Sequence, residues 1–176
     1  MSKVILYVAA SVDGFIARKD GGVEWLNDFI TEGEDYGYNE FYQSIDALIM
    51  GRNTYEIICG FGDWAYTGKP SFIMSKAEFK AISGDIKFTQ EDPVSLVKRL
   101  NNDGYKNIWL VGGGLLASSM IELELVDEMI ISIIPLELKE GIPLLICSEE
   151  KLNLFELVKT KSYDSDLVQQ FYIKRQ

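Results

Sequence analysis

The chain has 176 residues, enough for one domain with a sizeable core, and its 47% hydrophobic to 25% charged balance is that of a folded globular protein rather than a disordered one. A formal net charge of −10 repels phosphate backbones, which argues against nucleic acid and anionic membrane as partners. The absence of histidine excludes imidazole-based triads and most zinc sites, so no metal is expected. The two cysteines, Cys59 and Cys147, lie in apolar surroundings and read as free buried thiols of a reducing, cytoplasmic compartment.

In chain order, residues 3–10 form a continuous apolar run, the pattern of a strand buried on both faces. It is a better strand than a signal-peptide core, and no apolar stretch approaches the roughly 20 residues of a membrane span. Asp13-Gly14 and Asp20-Gly21-Gly22 mark loops. Residues 34–43 predict a helix carrying Phe41 and Tyr42, 47–50 a short buried strand, and 54–59 a helix. Residues 60–70, rich in glycine and aromatics, form a loop; Ser71–Met74 and Ile86–Thr89 are strands. Pro93–Asn102 predicts a helix, with proline in its first turn and Leu96, Val97 and Leu100 on one face. A strand over 107–111 runs into Gly112-Gly113-Gly114 and a helix over 115–123. Glu128–Ile134 is a strand, and 156–162 with 168–175 reads as a closing antiparallel hairpin. Alternating strands and helices imply one α/β domain spanning 1–176. Its expected architecture is three-layer α/β/α, with a mostly parallel central sheet made mixed by the hairpin.

Three strand ends carry groups suited to phosphate. At Val111-Gly112-Gly113-Gly114-Leu115-Leu116, glycines allow a ligand close to the backbone and the first helical turn offers free N–H groups; a tight turn without a ligand fits the same residues. At Gly51-Arg52-Asn53-Thr54, an arginine stands at a helix N-terminus against the dipole, which an intervening anion would explain; a solvated surface arginine is the alternative. Ser75 and Lys76 add a hydroxyl and a cation at a third strand end, where a solvated lysine is the plainer reading of the pair taken alone. Ligands of open α/β sheets bind at the carboxyl ends of strands, and all three would share that edge. At the first strand end, Ala9 to Ala17, small residues leave room for a flat ring, and Asp13-Gly14 also fits a simple turn.

In their order these segments resemble the dihydrofolate reductase superfamily, within it the bacterial branch similar to the reductase domain of the riboflavin-biosynthesis deaminase-reductase. The resemblance is carried by Ala9 to Ala17, Trp25, Met50 to Glu56, Trp64-Ala65-Tyr66, Lys69-Pro70, Met74-Ser75-Lys76, Val111 to Gly114 and Gly141 to Leu144, and it covers nearly the whole chain. It implies NADPH as cofactor, with Ala10, Ile16 and Ala17 lining the nicotinamide pocket and Gly51, Arg52, Asn53 and Thr54 holding the adenosine-side phosphates. Ser75 and Lys76 would then meet the 2′-phosphate, and Gly112, Gly113, Gly114, Leu115 and Leu116 the pyrophosphate. It also implies a homodimer. Two departures bear on substrate: the carboxylate nearest Trp25 is Asp28, and Val111 stands where the riboflavin-pathway reductases carry a glutamate.

The expected activity is hydride transfer from NADPH to a C=N or C=O bond of a small heterocyclic or carbonyl substrate. Asp28, Asp13 and Trp25 are the substrate-side candidates, Asp28 as the proton-positioning carboxylate, with Phe41 and Tyr42 as walls. The alternatives are a reductase of 5-amino-6-(5-phosphoribosylamino)uracil, a folate reductase, a non-catalytic nucleotide-binding protein and an unliganded structural domain.

Overall fold

Strand β1 (Lys3–Ser11) runs through the middle of the molecule because both its faces are apolar. Val4 and Leu6 enter one hydrophobic cluster and Ile5 the other, so each face of the sheet needs its own cover. The computed structural model describes residues 1–29, 32–77 and 81–175. The remaining elements are β2 (Phe15–Ala17), a 3-10 helix (Glu24–Phe29), α1 (Tyr38–Ser44), β3 (Ala47–Gly51), α2 (Arg52–Cys59), β4 (Ser71–Met74), β5 (Ile86–Thr89), α3 (Pro93–Asn102), β6 (Asn107–Gly112), α4 (Gly114–Glu122), β7 (Glu128–Ile134), β8 (Ile142–Pro143), α5 (Glu149–Leu152), β9 (Phe155–Ser162) and β10 (Val168–Lys174).

The main sheet has the order β5-β4-β3-β6-β1-β7-β10-β9. Its pairings are parallel from β5 to β7 and antiparallel from β7 through β10 to β9, as the mixed-sheet expectation requires. One face packs Leu96 and Leu100 of α3 with Ala117, Met120 and Ile121 of α4 over Ile108 and Leu110. The other packs Phe41 of α1 with Tyr55 and Ile58 of α2 over Leu48, Met50 and Trp109. Leu48, Leu96, Leu100 and Leu110 are fully buried, and cutting any of them to alanine costs about 2–5 kcal/mol. Asp92 caps α3 by accepting the Ser95 N–H at 3.0 Å, with Pro93 in the first turn, so that helix starts where the sequence predicts.

The sequence reading missed the small β2–β8 ladder and the 3-10 helix, each too short to show a period. The cysteines are half-buried rather than buried. Among the described residues no helix is long and apolar enough to cross a membrane.

Candidate functional site: two helix N-termini beside an aromatic cavity

Parallel register brings the predicted strand ends together. Gly51 pairs with Met74, and Met50 pairs with Gly112, so β3, β4 and β6 finish side by side. Helices α2 and α4 begin there with Gly51 and Gly113 as N-caps, and neither has a side-chain cap. The first turns of both helices therefore present N–H groups to this edge without a capping side chain over them. The two helix starts face each other: a Cβ added to Gly113 would lie 3.3 Å from Thr54 Oγ1.

The three glycines divide their work. Gly112 has φ +129, a region that side chains other than hydrogen rarely adopt, and its peptide to Gly113 is cis. Gly113 has an ordinary extended backbone (φ −77), so what a side chain would fill there is the space before Thr54. Gly114 is buried, and a Cβ on it would run into the Pro143 carbonyl oxygen. It serves packing of the 141–147 segment, which Ser118 Oγ also holds by accepting the Ile146 N–H at 2.7 Å.

The basic groups sit at the rim. Arg52 is exposed and its Nε donates to Glu56 Oε1 at 2.8 Å, so one anion that offsets its position at a helix start is its own i+4 neighbour. Lys76 is exposed, and the Ser75 hydroxyl donates to the Ala77 carbonyl at 2.8 Å. Asn53 and Leu115 are exposed beside them, Leu116 half-buried. Ile16 reaches the glycine turn, with Cδ1 3.5 Å from where a Gly114 Cβ would stand.

On the α1 face of the same sheet lies a cavity of about 280 Å³ over the carboxyl halves of β1 and β7. Tyr7, Ala9, Trp109 and Ser132 line it from the sheet, Leu26 and Phe29 from the 3-10 helix, and Asp35, Tyr36 and Tyr38 from the entry to α1. Register sets a row across three strands, Ala9 opposite Ser132 and Ser132 opposite Gln169. Ser132 and Gln169 are buried polar residues, 5% and 3% exposed. The two hydrogens of Gln169 Nε2 are shared among three acceptors within reach, Tyr7 Oη at 3.1 Å, Ser132 Oγ at 3.1 Å and the Tyr36 carbonyl at 3.3 Å, while Gln169 Oε1 accepts from Tyr163 at 3.1 Å. Burial pushes the Tyr7 phenol above its usual range and the Tyr38 phenol up to about 12, so both stay protonated donors. Asp35 accepts the N–H groups of Gly37 and Asn39, and these bonds hold its carboxyl below the usual range, an ionised acceptor at the cavity mouth.

Several expected roles move. Ala10 is buried in the cluster under α4, and its neighbour Ala9 faces the cavity, because strand side chains alternate. Ala17 is buried, its carbonyl against Gly141, which makes it a packing residue. Asp28 is exposed and does not line the cavity; Leu26 and Phe29, three apart on the 3-10 helix, do. Asp13 is exposed too, and its carboxylate accepts the Ser11 hydroxyl at 2.6 Å and the Leu138 and Lys139 N–H groups at 3.1 and 2.7 Å. These bonds, Ser11's first, hold it ionised, so it ties β1 to the 138–139 loop and has no proton to give. Trp25 is buried under the cavity floor with Ile134, Leu138 and Leu167. Phe41 lies a layer below, edge-on to Tyr7 at 4.6 Å, and Tyr42 stacks on Tyr38 at 5.7 Å behind the wall. The sequence reading included Ala9 only within the small-residue strand end and missed Asp35, Tyr36, Tyr38, Trp109, Ser132 and Gln169.

A mostly parallel sheet closed by a hairpin, with two bare helix starts at its edge and a ring-sized cavity alongside, defines the class: a dihydrofolate-reductase-like α/β domain. Residues 64–169 match the family model of the RibD C-terminal domain, and the chain belongs to that family. It is 36% identical over 155 residues to the uncharacterized protein YwjB of Bacillus subtilis, covering 86% of this chain and 88% of that one. A protein from Shewanella sp. PV-4, provisionally named for riboflavin biosynthesis, superposes with a TM-score of 0.89 at 29% identity over 99% of both chains. The Thermotoga maritima diaminohydroxyphosphoribosylaminopyrimidine deaminase/5-amino-6-(5-phosphoribosylamino)uracil reductase shares the fold, with a TM-score of 0.74 at 14% identity over 98% of this chain and 56% of its own. Membership in the family supports an oxidoreductase of the reductase type.

Proposed function

We propose that this protein is an NADPH-dependent reductase that delivers hydride to a C=N or C=O bond of a small heterocyclic or carbonyl compound held in the aromatic cavity. The observation that carries the reading is the meeting of two helix N-termini without side-chain caps across the Gly113–Thr54 gap, at the carboxyl edge of the sheet whose β1, β6 and β7 line the cavity. A dinucleotide fits these residues: the starts of α2 and α4, which carry no side-chain cap, suit its phosphates, the gap at Gly113 leaves room for them, and Arg52 and Lys76 add charge at the rim of a negative protein. When bound, such a cofactor supplies the hydride, and the protein supplies orientation and electrostatics.

The chain's own residues then hold the substrate. Asp35 accepts from N–H groups of the substrate, and the hydroxyl of Tyr38 donates to its carbonyl or imine, drawing charge toward the atom opposite the incoming hydride. Leu26, Phe29 and Trp109 exclude water from the ring faces. Since the phenols stay protonated and Asp35 stays ionised near neutrality, solvent at the cavity mouth delivers the proton.

The test is a titration with NADPH followed by loss of its absorbance against dihydrofolate, 5-amino-6-(5-phosphoribosylamino)uracil and a panel of small carbonyls. Tight NADPH binding with turnover of one class supports the reading. Binding without turnover on any of them points to a nucleotide-binding protein, and absence of NADPH binding overturns the proposal. Turnover of the phosphoribosyl compound would give the chain the activity named for its Thermotoga structural relative.

A further inference from the structure

We propose that the substrate carries an aromatic arm ending in an amine, and that this arm lies in a second cleft, between residues 20–27 and α2, against Phe61 and with its amine toward Asp20 and Glu24. This deepens the reductase reading and rests on it for the place of the substrate's ring.

The cleft is a void of about 770 Å³, lined by residues 20–24, 26 and 27 on one side and by Ile57 of α2 and Phe61 on the other. Leu26 lines both this cleft and the aromatic cavity, so the two voids meet at that side chain. A ligand that fills the cavity and continues past Leu26 enters the cleft. Hydrogen bonds hold the near wall in shape. The Arg18 N–H donates to the Gly22 carbonyl, the Gly21 N–H to the Arg18 carbonyl and the Gly22 N–H to Asp20 Oδ1, each at 2.9 Å. The turn so held rests on α2: a Cβ on Gly21, at φ +88, would stand 3.2 Å from Ile57 Cδ1.

The far wall makes the arm aromatic. Phe61 is 70% exposed and stands between Gly60 and Gly62. A lone exposed apolar side chain is ordinary. This one faces a void whose other apolar walls, Val23, Leu26 and Ile57, are half-buried. A flat ring in the cleft covers all four together and meets the Phe61 ring offset or edge-on.

The amine follows from Gly22. A Cβ there would stand 2.6 and 2.7 Å from the two Glu24 carboxylate oxygens and 3.1 Å from Asp20 Oδ1. Two carboxylates thus converge on one point of the cleft wall, where their mutual repulsion favours a cation between them. An ammonium group offers them three donors. The carboxylates decide only how the arm ends; the void, its junction at Leu26 and Phe61 decide that there is an arm.

The experiment is an NMR titration of the full chain, with and without saturating NADPH. Benzylamine, benzyl alcohol and benzoate probe the arm alone. Uracil joined to an aminomethylphenyl group through linkers of one to three methylenes probes ring and arm together. Benzylamine is expected to shift the amides of residues 20–27 and 60–62. It should bind about two- to fivefold tighter than benzyl alcohol at low salt, the range of an exposed ion pair, with benzoate weakest. The best linked compound should bind about tenfold or more tighter than uracil, because the second contact becomes intramolecular. Phe61→Ala, a change at an exposed side chain, should weaken benzylamine about three- to tenfold, and Phe61→Tyr should keep its affinity. Asp20→Asn with Glu24→Gln should abolish the preference for the amine over the alcohol. The proposal is overturned if benzylamine leaves those amides unshifted, if Phe61→Ala binds it as well as wild type, if amine and alcohol bind equally, or if no linked compound exceeds uracil. An arm held by a protein that fails to bind NADPH would sink the reductase reading and leave the cleft standing.

Discussion

Replacing Gly113 with valine should remove cofactor binding and leave the fold. The backbone at Gly113 is extended, so a side chain brings no conformational strain, and its Cβ would stand 3.3 Å from Thr54 Oγ1, which can give by a few tenths of an ångström. Overpacking of that kind costs about 1 kcal/mol, which for a domain of this length lowers Tm by roughly 2–4 °C. The branched methyls, however, occupy the gap between the helix starts. Each phosphate–backbone bond lost is a charge-assisted one of about 1.5–3 kcal/mol, so losing even one raises the NADPH dissociation constant roughly tenfold to a hundredfold. Nicotinamide fluorescence titration gives the affinity, and a thermal melt without nucleotide gives the stability. Gly114→Ala supplies the contrast: its methyl meets the Pro143 carbonyl, so Tm should fall further than in Gly113→Val. A natively folded Gly113→Val protein with wild-type NADPH affinity would show that the turn is architectural and that the helix starts hold nothing.

Cofactor choice should favour NADPH over NADH by at least tenfold at one ionic strength, through Arg52 and Lys76 at the rim, and equal dissociation constants would remove those residues from the site. Asp28→Asn should leave turnover of any accepted substrate within twofold of wild type, because the carboxylate is exposed and outside the cavity lining; a hundredfold loss would put a general acid back at that position. Asp13→Asn should lower Tm with a characteristic pH dependence. The folded pKa of Asp13 is depressed, so its contribution is complete above the unfolded value of about 3.9 and is lost as pH falls through the folded one. The Tm gap between wild type and Asp13→Asn should therefore be full at neutral pH and close in acid, and a gap that persists in acid would contradict the role given to its hydrogen bonds.

The frame was legible because its signals are local. Ile86–Thr89, Pro93–Asn102 and Glu128–Ile134 have the boundaries that β-branched runs, an N-terminal proline and Pro135 announce. The meeting of β3, β4 and β6 with the two helix starts was legible for the same reason, since a strand, a glycine and a helix start follow one another in sequence. The cavity was not. A run apolar on both faces carries no alternation, so nothing local distinguishes Ala9 from Ala10. Asp35 and Tyr36 reach the cavity through a left-handed turn, with Tyr36 at φ 54 and Gly37 at φ 78, inside what reads as the first turn of a helix. Gln169 looks like one polar residue among several on a closing hairpin, and it becomes distinctive only when register sets it beside Ser132. The one available hint was chemical: a serine inside the apolar strand Glu128–Ile134 needs a partner somewhere.

The central place of β1 has a cost in time. It precedes every other strand of the sheet in the chain, yet its neighbours are Asn107–Gly112 and Glu128–Ile134, more than a hundred residues later. At translation rates of about 5–20 residues per second, the apolar run from Val4 to Ala10 waits several seconds with both its edges unpaired. The nascent chain can complete and pair β3, β4 and β5 in that interval, but none of them pairs with β1, whose partners β6 and β7 arrive with the second half. Folding of this topology is governed by long-range closure, and its window of vulnerability to aggregation, and of need for a chaperone, opens at β1.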